Sequence, residues 1–353
     1  MTDLDDVAAL RANDPSDMLG TIAGLPAQAS ASYAAGRRTD PLPDLDGVTA
    51  VTYCGMGGSA VAGDVLRSLF RARLGVPVDV VRGPELPGYC GRTTLVIGAS
   101  YSGSTAETLA AFVEAAQRGC RTVALTSGGE LAERARAAGA PVIAIPGGLM
   151  PRAALGHLAF GLFGALESAG LLPRLGGDVD EAVREMERLA ADLAPEVPTG
   201  SNAAKRIAAS IGDRVPVVWG AEGLAAVAAN RWRTQWNENA KRPAFASALP
   251  ELDHNEVVGW SEAAGRSFAV VALRHDGEHP DVAARFGPSL DLARAAGAET
   301  VEVRASGRSP LARLSSLVLL GDFASAYVGL ARGVDPTPIE AIDRLKAVLA
   351  GSA

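Results

Sequence analysis

The sequence predicts an α/β protein of two doubly wound domains, each with a parallel sheet flanked by helices. Three observations predict it. Short apolar runs rich in β-branched residues recur at 48–56, 76–81, 94–99, 122–126 and 142–145. Continuous runs of this kind mark parallel strands covered on both faces. Helical patterns lie between most of them, the alternation of a βαβ sheet. The second half then repeats the first: VPVVWGAEGLAAVAANRW echoes VTYCGMGGSAVAGDVLRS, 267–273 echoes 94–100, and 298–305 echoes 120–127. A weak duplication of a whole sheet domain is the simplest account, and 353 residues leave room for two domains.

Bulk composition narrows the function. Hydrophobic residues make up 48% and charged residues 21%, with a net charge of −7. The chain has no Lys/Arg cluster of the kind a nucleic-acid binder carries. Three cysteines, Cys54, Cys90 and Cys120, lack metal-ligand spacing and suit a reducing cytoplasm. The acidic start, MTDLDDVAAL, is no export signal. The longest apolar run, taken at 158–172, is broken by glycines and Glu167 and is too short to cross a bilayer.

Taken in order, residues 1–46 read as a helical arm (5–12 and 15–35) and a Pro/Asp-rich linker. Residues 47–175 form the first sheet domain. Its opening turn, GMGGSA, superficially matches a dinucleotide fingerprint, but the next strand ends in Val81 and Arg82 without the required acid. No cofactor is expected. Pro151 starts a helix with Arg152 in its first turn, where a cation opposes the helix dipole. His157 follows on an apolar stretch and reads as a packed or capping histidine. Residues 176–334 form the second domain, opening with helices from Asp178 and Asn202, and 335–353 form a closing helix with Pro338 near its start.

Two stretches carry chemistry. After the strand 94–99, Ser100, Ser102, Ser104 and Thr105 crowd four hydroxyls around Gly103, and a helix starts at once. One N-cap needs one hydroxyl. Four, with backbone N–H groups and the helix dipole aimed at one spot, suit a phosphate. Ser59, at a helix N-terminus, supplies a second wall. The matching turn of the second half, RHDGEH, has no hydroxyl cluster, so one phosphate site per chain is expected. The other stretch is 236–260. Asn237, Glu238, Asn239 and Lys241 close a long helix, and Glu251, Asp253, His254, Asn255 and Glu256 follow in a polar turn. Acids at a helix C-terminus oppose its dipole, an inconsistency that functional sites tolerate. A carboxylate held by amides with an imidazole nearby is a candidate base with an acid partner. One histidine and scattered carboxylates offer no zinc or iron geometry.

SYSGSTAET and GMGGSA resemble the sugar-isomerase (SIS) phosphosugar-binding domain. WNENAK and PELDHNEVVGW, with a closing IDRLK, resemble the bifunctional phosphoglucose/phosphomannose isomerase family over essentially the whole chain. Glu238 and His254, sixteen residues apart, carry the more specific match. The resemblance implies two SIS-type domains, each with a five-stranded sheet. It implies metal-free, cofactor-free interconversion of glucose 6-phosphate and/or mannose 6-phosphate with fructose 6-phosphate through a cis-enediol(ate). Ser59, Ser100, Ser102 and Thr105 match the phosphate-binding hydroxyls, and Gly58 and Thr337 match positions near the sugar. Glu238 matches the base, Arg152 the arginine that stabilises the enediolate, and His254 and Lys346 the ring-opening pair. Ser104 replaces the commoner Asn of SYSGNT. The family is dimeric, with the histidine supplied by the neighbouring subunit. A phosphosugar sensor without chemistry, or an isomerase of another phosphosugar, are the alternatives. No nucleic acid and no membrane is expected as partner.

Overall fold

The computed structural model describes residues 2–261 and 263–351. The N-terminal arm forms three helices, α1 (Val7–Asn13), α2 (Met18–Ala23) and α3 (Leu25–Gly36). The expected single helix over 15–35 is broken at Gly24, because Pro26 sits in the first turn of α3 and has no N–H with which to continue α2.

The first sheet holds β1 (Ala50–Gly55), β2 (Val78–Val81), β3 (Thr94–Ala99), β4 (Arg121–Thr126) and β5 (Val142–Ala144) in the order β2-β1-β3-β4-β5, all parallel. Helices α4 (Gly57–Phe70), α5 (Ala106–Gln117) and α6 (Gly129–Ala137) connect the strands. β1 and β3 are buried at every residue. The chain reverses its direction across the sheet between them, the switch point at which such sheets take ligands. Both the 100–105 loop and the start of α4 open there.

The helix expected from Pro151 is instead a 3-10 turn, Pro151–Ala153, then a π-helical turn, Gly156–Phe160, and only then α7 (Gly161–Ser168). Close packing explains the distortion. A Cβ on Gly58 would lie 2.8 Å from Pro151 O, and one on Gly156 would lie 2.6 Å from Gln28 Cβ. Turns of this kind concentrate at functional sites.

After α8 (Gly176–Asp192) and α9 (Ala203–Ile211), the second sheet runs β7-β6-β8-β9, again parallel. Its strands are β6 (Val215–Ala221), β7 (Phe245–Leu249), β8 (Phe268–Arg274) and β9 (Glu299–Arg304), with α10 (Leu224–Asn239), α11 (Pro280–Ala283) and α12 (Phe286–Ala295) between them. Among the described residues this sheet has four strands, not the five expected, because the chain leaves β9 directly into α13 (Pro310–Ala331). That helix corrects the sequence reading in another way. It is the long apolar segment of the chain, 22 residues and long enough to cross a membrane, and an 18-residue window of it has mean hydropathy 1.5 and lies wholly inside the protein. α13 is apolar all round because α8, α9 and α10 cover it. α14 (Glu340–Gly351) closes the chain.

Candidate active site

The hydroxyl-rich loop forms as a continuation of β3. Gly103 adopts φ +72°, and a Cβ there would lie 1.9 Å from Gly128 O. Only glycine lets the two loops at this edge come so close. The hydroxyls pair with one another: Ser100 Oγ with Thr105 Oγ1 at 2.8 Å, and Ser102 Oγ with Ser104 Oγ at 2.9 Å. A pair of hydroxyls uses one of its two protons on itself, so each pair keeps one O–H donor for an incoming oxyanion. Ser100 is fully buried and Ser104 exposed, so the loop runs from a buried wall to an open rim. Ser59 joins it from α4, its Oγ accepting from Tyr101 N–H at 3.1 Å, while Tyr53 Oη donates to Ser59 O at 2.8 Å.

Gly58 connects this loop to the cation. Its Cα faces the turn of Arg152, where an added Cβ would lie 3.1 Å from Arg152 Cα. Arg152 is 3% exposed and held on almost every side. Its Nε donates to Asn239 Oδ1 at 2.9 Å, and its Nη2 donates to Pro336 O at 2.7 Å and Thr337 O at 2.9 Å. Nη1 is buried and has no hydrogen-bond partner, although the Glu238 carboxylate lies 3.5 Å away. Thr337 Oγ1 is likewise buried and unpaired. An unsatisfied buried polar group costs about 1–3 kcal/mol. Two at one place, beside a carboxylate that remains 27% exposed, fit a polar ligand.

The electrostatics are those of a pocket of interleaved charges, with Arg152, Arg231 and Lys241 set among Glu238, Asp322, Asp335 and Glu340. Burial, first of all, pulls the Arg152 guanidinium below its usual value, Glu238 opposes this, and Arg231 adds to it. Arginine stays charged at any working pH, so the positive charge is permanent. Lys241, two residues past the end of α10, adopts the left-handed region, φ 54°, a conformation costing a non-glycine residue about 1–2 kcal/mol. The strain places its ammonium on the carbonyls of Glu238 and, at 2.8 Å, Pro336, the same oxygen that holds Arg152. Burial and then Arg152 lower the Lys241 pKa. A cleft of about 390 Å³ opens here, lined by Glu238, Lys241, Asp335 and residues of α14, within the range of small-ligand sites.

The structure therefore brings Ser59, Ser100, Thr105, Gly58, Arg152, Glu238 and Thr337 into one chain of contacts, with Ser102 on the rim. It does not bring in His254 or Lys346. His254 ends an exposed 3-10 turn, Lys346 lies exposed on α14, and among the described residues no hydrogen bond or ion pair joins either to Glu238 or Arg152. His157 is a buried structural residue, its Nδ1 2.7 Å from Ser32 Oγ. The sequence reading missed Arg231, Asp322 and Ser325. The available signal was the spacing of Arg231, Gln235 and Asn239 on one face of α10, and a lone carboxylate, Asp322, in the apolar α13.

Comparison with known proteins supplies the family. The SIS domain model matches residues 49–140, and the bacterial phospho-glucose isomerase C-terminal SIS domain model matches residues 200–349. A bifunctional phosphoglucose/phosphomannose isomerase of Caldicellulosiruptor bescii is 36% identical over 94% of this chain and 99% of its own. The protein of that name from Aquifex aeolicus is 36% identical over 87% of this chain and 92% of its own. A solved structure, a hypothetical protein of Thermus thermophilus, superposes with a TM-score of 0.76 at 18% identity, covering 98% of this chain and 94% of that one. That likeness bears on the fold alone. With its two parallel sheets, its hydroxyl loop and these relatives, the chain belongs to the bifunctional phosphoglucose/phosphomannose isomerase family.

Proposed function

We propose that this enzyme interconverts glucose 6-phosphate and/or mannose 6-phosphate with fructose 6-phosphate. The observation that carries the reading is the Arg152–Glu238 pair: a buried guanidinium with one N–H group unused, 3.5 Å from a partly exposed carboxylate. Residues 47–175 hold the substrate phosphate through Ser59, Ser100, Ser102 and Thr105, and 176–334 supply the base. The Glu238 carboxylate takes the proton from C2 of the open-chain aldose, and the electrons move onto O1. The resulting cis-enediolate is stabilised by Arg152 Nη1. Glu238 then returns the proton to C1, while the hydroxyl proton moves from O2 to O1. C2 is planar in the intermediate, so glucose and mannose phosphates converge on it. The phosphate anchor supplies binding energy remote from the reacting carbons. Gly58 lets the backbone come close to the sugar, and Thr337 Oγ1 meets its hydroxyls. Arg152 provides the positive charge that a metal provides in other isomerases.

Ring opening needs an acid and a base at the ring oxygen and O1. His254 and Lys346 are assigned that work, in a homodimer whose sites are shared. The exposure of both residues supports the assignment, as does that of Phe245, Val258 and Leu345. His254 of the partner subunit would complete each site.

The test is conversion of each aldose phosphate to fructose 6-phosphate with EDTA present, for the native enzyme and for Glu238→Gln. The expected loss in kcat is about 10³-fold, the scale of a general base. A Glu238→Gln enzyme with full activity, or a native protein that binds phosphosugar without turnover, would overturn the reading.

A further inference from the structure

We propose that a buried polar column between α10 and α13, made of Arg231, Asp322, Asn239 and Ser325, positions Arg152 for the reaction. The proposal rests on the reading of Arg152 as the group that meets the enediolate.

All four residues are at most 3% exposed. Arg231 donates to Asp322 through Nε (3.1 Å) and Nη2 (2.6 Å), and its Nη2 also donates to Arg152 O at 2.9 Å. The backbone of the catalytic turn is therefore held by a side chain of the second domain. The side chain is aimed by the other pair. Ser325 Oγ donates its only proton to Asp322 O at 2.8 Å. Toward Asn239 it can then only accept, so the Asn239 amide must present its NH₂ to Ser325 (2.9 Å) and its oxygen to Arg152 Nε (2.9 Å). A flipped amide would point its NH₂ at the guanidinium. Ser325 thus fixes the amide, and the amide fixes the guanidinium plane. With Nε and Nη2 both engaged, Nη1 is left to face Glu238.

Stability alone does not account for the column. A buried ion pair replaced by well-packed apolar side chains often leaves a protein as stable or more so. What apolar packing cannot supply is a donor on Arg152 O and an acceptor on Arg152 Nε. Arg231, Asp322, Asn239 and Ser325 are therefore positioning residues that touch no reacting atom.

The experiment compares native enzyme with Ser325→Ala and Arg231→Lys. Ser325→Ala removes one oxygen and keeps the helix; Arg231→Lys keeps the charge beside Asp322 and loses the second arm to Arg152. The readouts are kcat, KM, and affinity for two inhibitors. Arabinonate 5-phosphate carries a carboxylate that mimics the enediolate. Sorbitol 6-phosphate is an unreactive polyol held by the same phosphate loop. Loss of aim at Arg152 is expected to lower kcat about tenfold and weaken arabinonate 5-phosphate about as much. KM and sorbitol 6-phosphate affinity should stay within twofold. Unchanged kcat in Ser325→Ala would overturn the proposal, as would equal weakening of both inhibitors, the sign of a merely structural role. Arg152→Lys separates the two readings. If it keeps full kcat, Arg152 is not the enediolate partner and the proposal falls with it. If it loses kcat while Ser325→Ala and Arg231→Lys do not, the column alone is refuted.

Discussion

The loops after β3 and after β8 occupy equivalent places in their sheets and make opposite use of them. Besides Tyr101, residues 100–105 present four hydroxyls and no carboxylate, and these pair with one another and with backbone N–H groups of the same loop, Ser104 N–H on Ser102 Oγ and Thr105 N–H on Ser100 Oγ. Residues 274–279 carry their own anion. The Glu278 carboxylate accepts from Arg274 Nε (3.0 Å) and Nη2 (2.8 Å) and from His275 N–H (2.8 Å), while Arg274 also pairs with Glu302 and stacks on Phe286 at 3.9 Å. One loop keeps its donors for a ligand; the other has given them to a side chain one turn away. The same duplicated strand-and-turn thus becomes a binding site or a structural knot, depending on whether an acid sits within reach of the turn. On the proposed function, this is the physical reason the first loop and not the second would hold the phosphate.

The strongest way to break the comparison is to put a methyl group on each loop's glycine. Gly103→Ala demands a left-handed φ of an L-residue and drives a Cβ to 1.9 Å from Gly128 O, a backbone atom that cannot move away cheaply. KM for the phosphosugar is expected to rise about 100-fold, the scale of an ångström's displacement at a site. Gly277→Ala meets the Nη1 of Arg313 at 2.8 Å, the far end of a flexible side chain, and the His275 ring at 3.3 Å, with no backbone atom near it, and Gly277 has no positive φ. Its KM should be unchanged. Equal KM for Gly103→Ala and native enzyme would show that the hydroxyl loop does not hold the phosphate.

The contrast between the loops was legible in the sequence because it is local: SYSGST and RHDGEH differ in composition within six residues. The paired sheets were legible for a related reason. β1 and β3 are covered on both faces, so they read as unbroken apolar runs. β7 was not legible. Phe245–Leu249 reads FASAL, without a β-branched residue, and lies at the sheet edge with Phe245 exposed. α13 was missed because a helix buried all round has no polar face to give it a period. The Arg231–Asp322 pair spans 91 residues of sequence, and no pattern along the chain announces which acid will meet which arginine across two helices. Arg152 was legible as an anomaly, a cation in a first helical turn, yet its unused Nη1 exists only once Asn239, Pro336 and Thr337 have closed around it.

A smaller effect sharpens the other side of the comparison. Glu278 is 4% exposed and Arg274 10%. Glu278→Gln leaves a buried guanidinium with Glu302 as its remaining carboxylate, and this should cost about 2 kcal/mol of stability in denaturant unfolding. KM should stay at the native value, because the second loop holds no substrate. A rise in KM without a fall in stability would mean that 274–279 belongs to the binding site after all.

The smallest expected effect concerns pH. Residues 100–105 hold no carboxylate, histidine or cation, so that loop has nothing to titrate between pH 5 and 7. The second loop has His275. Burial holds it below its ordinary 6.5, with Arg313 and Arg274 acting in the same direction and Glu278 and Asp276 against it. Geometry agrees, since His275 Nδ1 accepts from Gly277 N–H at 3.0 Å and a protonated ring would lose that role. A histidine whose folded pKa is depressed is protonated first in the unfolded chain. Its contribution to stability is therefore intact above about pH 6.5 and declines as pH falls through the window below it, until the folded ring also protonates. His275→Asn keeps an acceptor for the Gly277 N–H and removes the titration. Unfolding free energies of native and His275→Asn enzyme should run parallel above pH 7, and the native value should fall relative to the variant between pH 6.5 and pH 5. Curves that stay parallel throughout would mean that the ring is free to protonate in the folded protein, and the self-satisfied loop would then be looser than its hydrogen bonds imply.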